Sequence, residues 1–271
     1  MLKVAFQGVR GAYSETAVEQ MVREKLEFVP LRSFDDVFNA VENGEVDRGV
    51  LPIENSLTGS IHRNIDLLLK YDLWIVGEIK VRIRHSLIAN KNIEFKDIKK
   101  IYSHPQGLQQ CEKFLSRYSH IEKIPAYDTA GSVKMIKEEK MMDSAAIASK
   151  QAALYYDMII LEEGIEDVEE NYTRFVMLSK SKDISKDANK TSIVFSTKNE
   201  PGVLFKSLSV FALRDINLLK IESRPVHGKP WEYYFYMDIE ENINNERGKN
   251  AINHLKEIAT YLKILGCYPK D

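Results

Sequence analysis

The sequence predicts an α/β protein, with layered strands and helices first and a smaller domain in β-α-β-β-α-β order after them. Three observations carry this. Short apolar runs alternate with amphipathic helical patterns through roughly the first 178 of 271 residues. A polar stretch, SKSKDISKDANK at 179–190, then interrupts with almost no apolar residues, as a linker should. Beyond it the alternation gives way to a new order of strands and helices in about 80 residues, enough for a domain.

Taken in order, KVAF reads as a strand and precedes a helix near 14–25. RGVLPI is an apolar run before a helix near 59–71, with Ile61, Ile65, Leu68 and Leu69 on one face. KKIYS leads to a helix near 107–118, KIPAY to one near 131–140, and DSAAIAS to KQAALYY. Such a rhythm predicts largely parallel strands. After the linker, TSIVFSTK is a strand. GVLFKSLSVFALRD is helical, with Leu204, Leu208 and Phe211 or Ala212 on one face. INLLKIESRPV and WEYYFYMDIE are strands joined by a His-Gly-Lys-Pro turn that begins at His227. NERGKNAINHLKEIAT is helical and YLKILGCYP is a last strand.

Composition bounds the function. The chain is 44% hydrophobic and 29% charged, the balance of an ordinary globular protein. A net charge of −2 gives no field for nucleic acid. No run approaches the apolar length that spans a membrane, and MLKVAFQG lacks the features of a signal peptide, so the cytoplasm is the expected compartment. Two cysteines, Cys111 and Cys267, make no disulfide framework. The six histidines, His62, His85, His104, His120, His227 and His254, lack ligand spacing with Cys or acidic residues, so no metal set is expected. No Gly-rich dinucleotide fingerprint, phosphate loop or nucleophile elbow appears.

The chemistry gathers at polar joins. FQGVRGAYSE (6–15), ENSLTGS (54–60), YSHPQGLQQ (102–110), YDTAGSVKM (127–135) and AIASKQ (146–151) each stand where a strand hands over to a helix. Any one of them serves as a helix cap. Five together, several longer than a cap needs, predict a cleft at the carboxyl ends of strands that holds a small, polar, anionic molecule. In ENYTRFVML (170–178), Thr173 and Arg174 stand between polar residues and an apolar run, and an Arg fork matches a carboxylate.

With GVRGAYSE, VLPIENSLTGS, SHPQGLQQC, DTAGSV, AAIAS and NYTRFVML in that order, the chain resembles prephenate dehydratase. The C-terminal ESRP and WEYYFYMDIE look like that family's regulatory ACT domain. The resemblance covers essentially the whole chain. It implies a catalytic region at 1–180 of two lobes, similar to type II periplasmic binding proteins. Lobe one spans about 1–77 and 160–180, and lobe two about 78–159. A linker at 181–190 and a ferredoxin-like ACT domain at 191–271 complete the chain.

The implied reaction is the decarboxylative dehydration of prephenate to phenylpyruvate, with no cofactor. The implied catalytic set is Thr173, at the departing hydroxyl, with Glu54, Asn55, Ser56, Ser103 and Gln110 on substrate oxygens. Thr58, Arg174, Phe175, Thr129 and Ala130 would contact substrate, Arg174 either pairing a carboxylate or bracing the site. His104 reads as a helix-entry residue bonded to backbone, because Pro105 follows it. The ACT domain implies feedback by L-phenylalanine at Gly202, Val203, Leu204, Asn217, Leu218, Glu222 and Ser223, where two such domains pair in a homodimer or homotetramer. Val203 and Phe205 are bulkier than the family's usual Ala and Val. Arogenate dehydration and a non-catalytic amino-acid sensor are the competing readings.

Overall fold

A computed structural model of the chain describes residues 1–226 and 228–271, so His227 and its place in the expected turn lie outside the described residues. The chain forms two compact units. One comprises Met1–Asn64 with Ile79–Phe175, the other Ile65–Glu78 with Val176–Asp271.

The elements run β1 (Leu2–Gln7), α1 (Tyr13–Met21), β2 (Leu26–Leu31), α2 (Phe34–Asn43), β3 (Arg48–Asn55), β4 (Gly59–Ser60), α3 (His62–Lys70), β5 (Trp74–Arg82) and β6 (Ser86–Ala89). They continue with β7 (Lys100–Ser103), α4 (Pro105–Gln109), α5 (Glu112–Ser116), β8 (Glu122–Pro125), α6 (Thr129–Glu138), β9 (Ser144–Ala148), α7 (Lys150–Tyr155), β10 (Ile159–Glu163) and β11 (Tyr172–Ser179). The last six are β12 (Lys190–Ser196), α8 (Val203–Ala212), β13 (Leu218–Pro225), β14 (Tyr233–Ile239), α9 (Glu246–Ile258) and β15 (Tyr261–Tyr268).

In the first unit, β1 runs parallel to β2 and β3 on either side. Val4, Ala5 and Phe6 are fully buried because both faces of this central strand are covered, which is why its sequence is a continuous apolar run. Helix α2 starts at a capping box: the Asp36 amide donates to Ser33 Oγ, and the Ser33 amide to Asp36 Oδ2. It ends at Gly44 in the left-handed conformation. Gly49 lets α2 lie close on β3, since a Cβ there would come within 2.8 Å of Val37 and Val41.

A second sheet in this unit has the order β10-β6-β9-β7-β8. Strands β8, β7 and β9 are parallel, but β6 pairs antiparallel with both β9 and β10. The expectation of largely parallel strands therefore holds among β1, β2 and β3 and among β7, β8 and β9, but not for β4, β6 or β10. Gly11 draws the β1–α1 loop against α7: a Cβ there would meet Ala152 Cα at 2.6 Å, and Ser149 Oγ donates to the Gly11 carbonyl at 2.7 Å.

Several expected helices differ. The segment at 59–71 opens with β4, which pairs back on β3 through Glu54–Ser60 and Asn55–Gly59, so the helix begins only at His62. The expected helix at 107–118 is two short ones, bent at Cys111, whose φ of −117° and ψ of 24° leave the helical region. The elements at β2, α2, β5, β6 and β10 were absent from the sequence-based alternation. Pro30 inside β2 is one reason, since it reads as a break.

In the second unit, β13-β14-β12-β15 form the antiparallel sheet of a βαββαβ domain, with β5 added beside β15 in parallel. Helices α8 and α9 cover a core of Ile193, Phe195, Val210, Phe211, Met237, Ala251 and Leu255. The buried face of α8 is Ser207, Val210 and Phe211, so Leu204, at 36% exposure, does not belong to it as expected. Arg224 on β13 grips Asp66 on α3 with a two-pronged contact, at 2.7 and 3.2 Å. Lys263 Nζ donates to the carbonyls of Leu68, Leu69 and Tyr71, the end of α3 where unpaired carbonyls gather.

Candidate active site

Among the described residues, two cavities of the first unit lie beside the polar joins. The larger, about 810 Å³, is lined by Arg10, Arg32, Tyr127, Lys134, Tyr155 and Tyr156 among others. The other, about 560 Å³, gathers polar residues from both sheets: Tyr13, Ser33, Asp35, Asn55, Arg63, His85, His104, Gln106, Gln110, Asp128, Thr129 and Thr173. The second collects most of the polar joins and is the candidate site.

Asn55 ends β3, and its amide is fixed at both ends. The carbonyl oxygen accepts from the Leu57 and Thr58 amides and from Thr58 Oγ1, at 3.0, 3.1 and 3.2 Å, closing the hairpin to β4 as an Asx turn. Its Nδ2 faces Asn171 Oδ1 at 2.7 Å, Thr173 Oγ1 at 3.0 Å and the Tyr172 carbonyl at 3.1 Å. An amide NH₂ only donates, so Thr173 Oγ1 is the acceptor and its own O–H is left as a donor. Thr173 and Phe175 both line the cleft, two residues apart on β11. Arg174 points the other way, where its Nη1 lies 3.7 Å from Glu54 Oε2.

That alternation separates the expected site residues. Asn55, Thr173, Phe175, Gln110 and Thr129 line the cleft. Glu54 and Arg174 do not; they brace the hairpin against β11, because consecutive residues on a strand face opposite sides. Ser56 is also away from the cleft: its Oγ donates to the Glu170 carbonyl at 3.1 Å and accepts from the Tyr172 amide at 2.9 Å. Ser103 is fully buried and donates to the Ile147 carbonyl at 2.7 Å, behind Gly107. Ala130 is buried inside α6. Thr58 stands at the edge of the cleft, where its Oγ1 accepts from Gln106 Nε2 at 2.7 Å, tying the hairpin to α4.

The opposite wall is titratable. His104 caps α4, its Nδ1 accepting from the Gln106 amide at 3.2 Å, which puts the proton of the neutral ring on Nε2. Burial lowers its pKa, against a pull upward from Asp128. Asp128 caps α6 by accepting from the Gly131 amide, and burial raises its carboxyl above the usual range despite that bond. Arg63 pairs with Asp35 at 2.6 Å, which leaves a guanidinium at the cleft with part of its charge balanced. Among the described residues, no group of three His, Cys, Asp or Glu side chains is arranged to hold a metal ion.

Against known proteins, residues 4–183 match the prephenate dehydratase family and residues 191–257 the ACT domain. The chain belongs to the prephenate dehydratase family. Across its full length it is 49% identical to the arogenate dehydratase/prephenate dehydratase 2 of Arabidopsis thaliana, a chloroplastic protein, and spans 73% of that relative. A structure of Arthrobacter aurescens prephenate dehydratase in complex with L-Phe aligns over 99% of this chain and 90% of its own, with a TM-score of 0.91 and 28% identity. A structure described as GqqA, a novel type of quorum quenching acylase, aligns over 99% and 98% with a TM-score of 0.89 and 30% identity. The family is one of lyases, and the two-lobed α/β region followed by an ACT domain is its architecture in this chain.

In this prephenate dehydratase family member, the expected effector residues fall around α8 and β13. Gly202 adopts the left-handed conformation, φ 76°, just before α8. Asn217 Nδ2 donates to Glu240 Oε2 at 3.0 Å, Leu218 opens β13, and Glu222 lies 3.4 Å from Lys220. Ser223 lies on the more exposed face of β13 with Leu219 and Ile221. Sequence reasoning missed Tyr13, Asp35, Arg63, His85, Gln106 and Asp128 at the cleft. Asp128 was legible as the cap before TAGS, whereas His85 lies in no polar join and carried no signal.

Proposed function

We propose that the chain converts prephenate to phenylpyruvate, and that L-phenylalanine restrains it through the ACT domain. The ring carboxylate leaves as carbon dioxide. Its bonding electrons enter the ring and expel the ring hydroxyl, which takes a proton and departs as water. Aromatisation drives the change, so the protein's task is placement and help for a poor leaving group. The observation that carries the reading is the Thr173 hydroxyl, oriented by Asn55, in a cleft with His104 and Arg63. Thr173 would donate to the departing hydroxyl, with the His104 Nε2–H as a second donor. Arg63 would meet a substrate carboxylate. Gln110 and Thr129 complete the proposed contacts.

Amide hydrolysis, in keeping with the acylase name of one structural neighbour, calls for a nucleophile beside a base. Here the Thr173 hydroxyl is held by an amide, which is no base. A second substrate has better support. Arogenate carries an ammonium where prephenate has a keto group, and the carboxylates of Asp35 and Asp128 at the cleft suit a cation. The name of the 49% identical relative includes both activities. Measuring kcat/KM for prephenate and for arogenate with the same preparation decides between them, and no product from either overturns the reading.

The proposed catalytic part is residues 1–180, with lobes at about 1–77 with 160–180 and 78–159, and the regulatory part is 191–271. Pairing through the ACT domain is supported by β13, an edge strand of the described sheet that exposes Leu219 and Ile221. A homodimer or homotetramer in gel filtration, with activity falling as L-phenylalanine is added, is the expected result; an unchanged rate at saturating L-phenylalanine removes the effector. Two free, buried cysteines suit a reducing compartment such as the cytoplasm.

A further inference from the structure

We propose that His85 is a positioning residue for the dehydration, a neutral imidazole that holds Gln110 with its amide NH₂ turned to the substrate. The proposal rests on reading the cleft as the reaction site.

His85 is 2% exposed and stands just before β6. Its Nε2 lies 2.9 Å from Gln110 Oε1. A carbonyl oxygen only accepts, so the ring proton is on Nε2. That leaves Nδ1 as an acceptor, and the Tyr13 hydroxyl lies 3.2 Å from it. That hydroxyl donates its one proton to the Arg84 carbonyl at 2.6 Å, so it packs against Nδ1 without giving it a full hydrogen bond, and the Tyr13 ring meets the imidazole edge-on. The backbone is fixed too: the His85 amide donates to Glu166 Oε2 at 2.8 Å. Burial lowers the imidazole's pKa and so favours the neutral ring this pattern needs, although the Gln110 bond and the Glu166 charge oppose it.

The consequence falls on Gln110. Its two ends differ chemically, and an unrestrained amide at the cleft would present either one. With Oε1 held by His85, the NH₂ is the end left for the cleft, a donor suited to a carboxylate or hydroxyl oxygen. The buried His85 imidazole and Gln110 thus form a short relay toward the substrate, and only Gln110 touches the substrate in this reading.

The test is a double-mutant cycle on the full chain with His85→Phe, Gln110→Leu and the pair. Each single change is expected to lower kcat/KM by about tenfold, the scale of one hydrogen bond, mainly through KM. The pair should do no worse than Gln110→Leu alone, because His85 acts through Gln110. His85→Gln, which restores a donor, should recover part of the loss. Losses that multiply, or His85→Phe within twofold of wild type, overturn the proposal. If His85→Phe fails to fold, nitrogen-15 spectra of the labelled wild-type protein decide: a protonated Nε2 with a bare Nδ1 is expected, and the reverse refutes it. Wild-type protein inactive on both prephenate and arogenate would instead sink the functional reading, while the spectra would still judge the hydrogen bond from His85 to Gln110.

Discussion

The two walls of the cleft are held by different means. On the β3–β11 side, Asn55, Asn171 and Thr173 bind one another with neutral groups, and the hairpin closes on the same amide. On the side of α4 and α6, His104 and Asp128 cap helices with side chains that can change charge. A neutral wall keeps its geometry at any ordinary pH. A wall of buried titratable groups keeps its geometry only while their protonation holds. Placement and pH response are thereby assigned to opposite sides of one pocket.

The comparison breaks most visibly at Thr173. Thr173→Ala removes the donor and should lower kcat by about 10²-fold or more with KM little changed, in steady-state assays of phenylpyruvate formation. Near-normal turnover would take the neutral wall out of the chemistry. Asn55→Ala should cost less in rate, about tenfold, since Thr173 stays but loses its orientation. It should also lower stability by about 2 kcal/mol in urea titration, because three acceptors of the Asn55 amide, two of them side chains inside the protein, lose their donor.

A third measurement sharpens the difference between the walls. The ordinary value for a histidine is 6.5, and His104 is lowered from it; that for an aspartate is 3.8, and Asp128 is raised from it. His104 therefore takes up its proton below 6.5 and Asp128 takes up its own above 3.8, so kcat/KM should change as the pH falls below 6.5. Asp128→Asn should move the acid limb, whereas the Asn55 variant should leave its midpoint where it was.

Stability should follow His85 in the same range. Its pKa is lowered on folding, so the unfolded chain binds a proton more readily. Stability from this group is full above pH 6.5 and falls as pH drops toward the folded value. The melting temperature of His85→Phe should accordingly decline less between pH 7 and 5 than that of wild type. The smallest effect is expected for Glu54→Gln. Its contact with Arg174 is 3.7 Å long and faces away from the cleft, so kcat/KM should stay within about twofold.

Much of the fold was legible because its signals are local. The βαββαβ order, the polar linker and the helix entry at His104 each depend on a few neighbouring residues. The hairpin at 54–60 was not legible as a hairpin, because its turn is closed by the Asn55 side chain and not by an Asn-Gly pair. The same limit divided the site residues. Asn55 was found in a polar join and Thr173 where polar residues meet an apolar run, yet the joins also offered Ser56 and Ser103, whose hydroxyls bond to backbone away from the cleft. Period-two alternation along β11 would have set Arg174 apart from Thr173 and Phe175.

By itself the sequence determined the two-part architecture, the family and the segments that carry chemistry, since apolar period, capping residues and motif order are properties of short stretches. The tertiary structure alone decided which polar atoms face the cleft and which are bound elsewhere. The reason is distance along the chain: Asn55 meets Thr173 across 118 residues and His85 meets Gln110 across 25, and no local pattern records such pairings.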